Sequence, residues 1–174
     1  LCSSRYPRGL FLLMKVATVQ FQHVAGDVPA NLAVVKRYVL QAAAKNVELV
    51  LFPECCLSGY WHLRKLTRIQ LDCIAQQIPG GTAFVEVTKL AKDHDISIGV
   101  GLVEVTEDGT LYNAFVVVNG DGTWANHRKL HCFVSEHMSS GHRFTVLDTP
   151  KGIRLGILTC YDNNLIENVR ATAL

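Results

Sequence analysis

Glu48-Leu49-Val50-Leu51-Phe52-Pro53-Glu54 is almost continuously apolar until it stops at a proline followed by an acid. Such a run reads as a strand buried on both faces, the habit of parallel sheets covered by helices. Just upstream, Val28, Leu32, Val35, Val39 and Ala42 or Ala43 recur at helical spacing through to about Lys45. Asp27 stands where it can cap that helix, Pro29 is tolerated in its first turn, and Asn46 is a C-terminal stop. Before it, Lys15 to Gln22 is a short β-prone run with Val16, Val19 and Phe21. Strand, helix, strand implies a parallel pair joined by a right-handed crossover.

Downstream, Leu63, Leu66, Ile74 and Ile78 mark a second helical segment that Pro79-Gly80-Gly81 breaks. Thr82 is placed to cap a third helix with Phe84, Val87, Leu90 and Ala91 on one side, so two helices in succession form a helical layer. From Ile96 the texture changes to strands: Ile96 to Val105, Leu111 to Asn119, Thr123 to Arg128, Phe144 to Asp148 and Ile153 to Cys160. Glu107-Asp108-Gly109, Gly120-Asp121-Gly122 and Pro150-Lys151-Gly152 supply the turns. The expected fold is layered α/β with a mixed sheet, ending in a helical stretch from Leu165 to Leu174. Residues 1–13 read as an upstream or non-native segment ahead of Met14, and residues 14–174 as one folded unit that stops without a cap or polar tail.

The 174 residues are 49% hydrophobic and 18% charged, which predicts a substantial buried core. A formal net charge of +2, with basic residues scattered, gives no nucleic-acid footprint. No run is long enough for a transmembrane span, and Leu10 to Leu13 is too short for a signal-peptide core. The six cysteines form no CxxC pair, which favours free thiols in a reducing, cytoplasmic setting.

Three residues stand at the ends of separate expected strands: Glu54, Lys129 and Cys160. A thiol attacks only as thiolate, so it needs a nearby cation or a base. A carboxylate can take its proton during attack on a carbonyl or nitrile carbon, and an ammonium can meet the charge that develops there. Each residue also has an ordinary reading: a buried strand-end Cys, a solvated or capping Glu, and a Lys in a basic surface cluster with His127, Arg128 and His131.

Leu51-Phe52-Pro53-Glu54 with Ser58-Gly59-Tyr60, His127-Arg128-Lys129-Leu130-His131, and Gly156-Ile157-Leu158-Thr159-Cys160-Tyr161-Asp162 together resemble the carbon-nitrogen hydrolase family, the nitrilase superfamily. Leu111-Tyr112-Asn113-Ala114 and Thr149-Pro150-Lys151-Gly152 resemble its intervening segments. The resemblance implies a four-layer α-β-β-α sandwich, here incomplete at its C-terminus, in which 14–174 is the N-terminal part of the domain and the truncated chain is of uncertain competence. It implies Cys160 as nucleophile, Glu54 as general base and Lys129 as stabiliser of the tetrahedral intermediate. Glu136 matches a second glutamate that positions substrate, although its loop departs from the commoner pattern. Tyr60 and Tyr161 are candidate substrate contacts, and Trp61, Phe133 and His137 candidate pocket walls with a packing role as the alternative.

The implied activity is hydrolysis of an amide or carbamoyl group through a thioester, releasing ammonia or an amine, without metal or organic cofactor. The partners expected are a small-molecule substrate and further copies of the chain in a homo-oligomer, with neither nucleic acid nor membrane. Nitrile hydrolysis by the same site is the alternative; Tyr161-Asp162 after the nucleophile, in place of Trp-Glu, tilts the reading to amides. A catalytically idle subunit or binding module is the non-enzyme alternative. His127, His131 and Cys132 could be drawn as a zinc site, but no second ligand pair has suitable spacing. Gly99-Val100-Gly101 lacks the third glycine of a dinucleotide fingerprint.

Overall fold

The computed structural model describes residues 13–174, so the segment 1–12 lies outside the described residues. The chain runs β1 (Val16–Thr18), α1 (Val28–Ala43), β2 (Leu49–Leu51), a 3-10 turn (Trp61–Lys65), α2 (Arg68–Ile74), α3 (Thr82–His94), β3 (Ser97–Val105), β4 (Leu111–Val118), β5 (Trp124–Arg128) and β6 (Met138–Ser139). It finishes with β7 (Thr145–Asp148), β8 (Arg154–Ile157), a 3-10 turn (Cys160–Asn164) and α4 (Ile166–Ala173).

The main sheet has the order β1-β2-β3-β4-β5, with β6 added beside β4. β1, β2 and β3 are parallel, as the strand-helix-strand pattern requires, while β4 and β5 return antiparallel. Two reversals therefore leave β5 pointing the same way as β2, so both strands end at one edge of the sheet. β7 and β8 form a separate antiparallel pair.

On one face, α1 and α3 bury Val35, Val39, Val87 and Leu90 against Ile98, Val100 and Leu102. Each such side chain contributes about 1.5–3 kcal/mol by leaving water. On the opposite face, Leu147, Leu155 and Ile157 of the small sheet pack on Leu49, Val117 and Phe115. α4 lies beyond that sheet: a Cβ at Gly156 would come 2.5 Å from Cγ2 of Thr172, so glycine lets helix and strand touch. Helices, sheet, sheet and helix are the four layers expected. Among the described residues, no helix is long and apolar enough to cross a membrane.

The start of α1 is as expected: the Asp27 carboxylate accepts from the Ala30 amide at 2.9 Å. Asn46 takes the left-handed φ of 54° just past its end. Five expectations need correction. The first strand covers only Val16–Thr18, because parallel pairing with β2 extends no further. Thr82 is the first residue of α3 and not its cap; Gly81 holds that place without a side-chain bond. The segment from Leu63 to Ile78 is divided at Thr67, which caps α2 reciprocally with Gln70, and α2 ends at Ile74 because Gln76 bridges to Glu104. Leu71 of α2 joins a separate cluster with Leu63, Val103 and Leu111, so the helical layer is α1 with α3. Finally, β8 stops at Ile157 and is only partly buried, with Arg154 and Gly156 left exposed on the side towards α4.

Candidate active site

Glu54 sits on the tight turn after β2. A Cβ at Gly101 would lie 2.3 Å from the Cys55 nitrogen, so only glycine in β3 admits this turn. The amide of Leu57 donates to the Gly101 carbonyl at 3.0 Å and ties the turn down. Lys129 follows β5 directly, and its side chain is 1% exposed. Its Nζ donates to Glu54 Oε1 at 2.6 Å. Burial works against the charge of Lys129, but the hydrogen bond and charge of Glu54 outweigh it and raise its pKa above the ordinary lysine value.

Asn113 of β4 fixes both partners at once. Its Nδ2 donates to Glu54 Oε1 at 2.6 Å, while its backbone carbonyl accepts from the Lys129 amide at 2.8 Å. No role for Asn113 follows from the sequence alone; the available signal is a lone amide side chain in an otherwise apolar strand, and it is buried.

Cys160 opens the 3-10 turn after β8 and adopts a left-handed φ of 50°. For a residue with a Cβ that conformation is strained, and it presents the side chain at a sharp strand-to-helix turn. The thiol is exposed. It lies close enough for its charge to help raise the pKa of Lys129 and of Tyr60. Other thiols differ: burial pushes Cys56 up to about 12 and Cys55 well above the usual thiol range, and it raises Cys132. Those groups are neutral and inert at neutral pH.

The structure thus brings Glu54, Lys129 and Cys160 to one edge. Tyr60 joins them, with Lys129 Nζ 5.7 Å from its ring centre, and so does Phe133 at 5.1 Å. Tyr161 packs edge-on against Phe133 and His131. Phe133 is 65% exposed, so these rings form an apolar rim open to solvent. Glu136 is an exposed loop residue that makes no hydrogen bond or ion pair with the trio among the described residues. His127 is on β5, where its ring nitrogens face Thr145 and Asp162, so they are not turned towards His131 or Cys132 as the zinc drawing needs.

The carbon-nitrogen hydrolase family model matches residues 15–174. This chain belongs to the carbon-nitrogen hydrolase family. It is 33% identical over 162 residues to an (R)-stereoselective amidase from a Pseudomonas species, covering 92% of this chain and 56% of that protein. It is 30% identical over 165 residues to a nitrilase from Pyrococcus abyssi, covering 93% and 61%. An omega-amidase from Xenopus laevis is 31% identical over 167 residues, covering 88% and 56%. The chain therefore spans little more than half the length of these curated relatives. An amidase from Nesterenkonia superposes with a TM-score of 0.73 at 23% identity, covering 92% of this chain and 60% of that one, and shows the shared fold.

Proposed function

We propose that this chain carries the thiol centre of an amide hydrolase. The observation that supports the reading most directly is the buried Lys129–Glu54 pair, held by Asn113 beside the exposed, strained Cys160. Cys160 Sγ attacks the amide carbon and passes its proton towards Glu54. Lys129 Nζ meets the oxyanion of the tetrahedral intermediate. The C–N bond then breaks, Glu54 returns the proton to the departing ammonia or amine, and an acyl thioester remains on Cys160. Water, deprotonated by Glu54, adds to the thioester; the C–S bond breaks and the carboxylic acid leaves. The relatives that are amidases and omega-amidases favour amides as substrates of this site.

Tyr60 and Tyr161 contact the substrate in this proposal, with Phe133 beside them, and Glu136 orients the amide once a substrate orders its loop. The working protein is a cytoplasmic homo-oligomer acting on a small molecule. The test is acyl trapping: the chain is incubated with small carboxamides, digested, and its cysteine peptides weighed by mass spectrometry. An acyl group on the Cys160 peptide, absent from Cys160→Ala, is expected, together with release of ammonia. Equal acylation of Cys73, or none at Cys160, overturns the reading.

A further inference from the structure

Asp162 lies two residues past Cys160, yet its side chain is completely buried. Its carboxylate turns away from the thiol and towards the segment that carries the lysine. Oδ1 accepts from the His131 amide at 3.0 Å, and Oδ2 from the Leu130 amide at 3.1 Å. Oδ2 also faces His127 Nε2 at 3.2 Å, and His127 Nδ1 faces Thr145 Oγ1 at 3.2 Å. The backbone carbonyl of Asp162 accepts from Asn168 Nδ2 at 3.1 Å. A carboxylate this deep is tolerable only because three donors satisfy it. Those donors come from His127 near the end of β5 and from the two residues immediately after Lys129.

We propose that Asp162 is a positioning residue of the thiol centre, holding the lysine segment in register with Cys160 through the Leu130 and His131 amides. This rests on the reading of Cys160 and Lys129 given above. The two amides follow Lys129 in the chain, so any slip of their anchor moves Nζ. The anchor shares a turn with Cys160, so nucleophile and cation are set against each other by one side chain. Misplacement of about 1 Å costs about 100-fold in a reaction of this kind. His127 completes the anchor as a neutral ring, because burial lowers its pKa more than Asp162 raises it. Its Nε2–H then donates to Asp162 while Nδ1 accepts from the Thr145 hydroxyl.

Asp162→Asn keeps the volume and one acceptor but sets an NH2 group against a backbone N–H. The experiment follows alkylation of the whole 174-residue chain by iodoacetamide, peptide by peptide, in the parent, Asp162→Asn, Lys129→Ala and the double variant. Asp162→Asn is expected to slow Cys160 at least tenfold, leave Cys73 unchanged and keep buried Cys56 unlabelled. The double variant is expected within twofold of Lys129→Ala, since both act through the lysine; multiplying effects overturn the proposal. Labelling of Cys56 in Asp162→Asn also overturns it, by making the role one of general support. Thr88→Val removes a side-chain bond to the Phe84 carbonyl on α3, outside this network, and is expected to leave Cys160 within twofold; a tenfold loss there would show unspecific disruption and sink the idea. A parent Cys160 no faster than Cys73 refutes the thiol centre itself, whereas a fast parent with an equally fast Asp162→Asn refutes only the positioning role.

Discussion

Lys129→Ala removes the counter-ion of Glu54 and leaves its carboxylate 16% exposed in a largely buried turn. Opposite charges at contact distance attract by about 4 kcal/mol at an effective dielectric near 20. Stripping one member from a buried pair costs about 3–5 kcal/mol. Here water reaches Glu54 in part, and Asn113 Nδ2 stays on Oε1 at 2.6 Å. The expected loss is therefore smaller, about 2–3 kcal/mol. With a urea slope of about 2 kcal/mol/M, the unfolding midpoint at pH 7 falls by about 1–1.5 M. Glu54→Gln and the double variant complete a cycle whose coupling is expected to exceed about 1.5 kcal/mol.

The pH dependence supplies a second check. The pKa of Lys129 is raised in the folded protein, so the pair's contribution is complete below the unfolded lysine value of about 10.4 and fades as pH rises through the folded value. The parent should therefore lose midpoint above that pH more steeply than Lys129→Ala. A midpoint shift below about 0.3 M with no coupling would mean that water screens the pair as it does on a surface. The geometric reasoning about this site would then be wrong.

Two further outcomes are expected. Because Cys160 has a φ of 50°, Cys160→Gly should unfold at higher urea than Cys160→Ala, by about 0.5–1 kcal/mol after allowance for glycine's looser unfolded chain; an alanine variant as stable as the glycine one would show that the turn stores no strain. Arg128 donates to the buried Glu104 at 2.8 and 2.7 Å and stacks on Tyr112, so Arg128→Ala should cost about 3 kcal/mol and Arg128→Lys should recover less than half, for want of the guanidinium fork; a loss below 1 kcal/mol in calorimetry or urea titration would contradict this.

Glu54 and Cys160 were legible as positions because each follows an apolar run, and a run that ends at a charged or nucleophilic residue marks a sheet edge. Lys129 follows the mixed stretch Trp124–Arg128 and was legible from the turn that opens that strand and from its place in His127-Arg128-Lys129. Asn113 was not legible as the holder of Glu54. Its alternation within β4 says which face it takes, but not that the turn after β2 arrives on that face. Asp162 was visible only as part of a motif, since a polar residue in a polar turn reads as solvated until packing shows it buried. Glu136 shows the reverse case: its motif match names it, yet the loop leaves it exposed.

From the sequence alone came the layered α/β class, the parallel crossover at α1, the cap at Asp27 and the three residues at strand ends, because periodicity, capping and breaker residues act over a few neighbours. Tertiary structure decided the rest. It put β5 parallel to β2, so that Lys129 reaches Glu54 across 75 residues of chain. It ended α2 at Ile74 by pairing Gln76 with Glu104, and it buried Asp162 beneath the lysine segment. Those outcomes depend on contacts between distant segments, whose partners only the folded sheet selects.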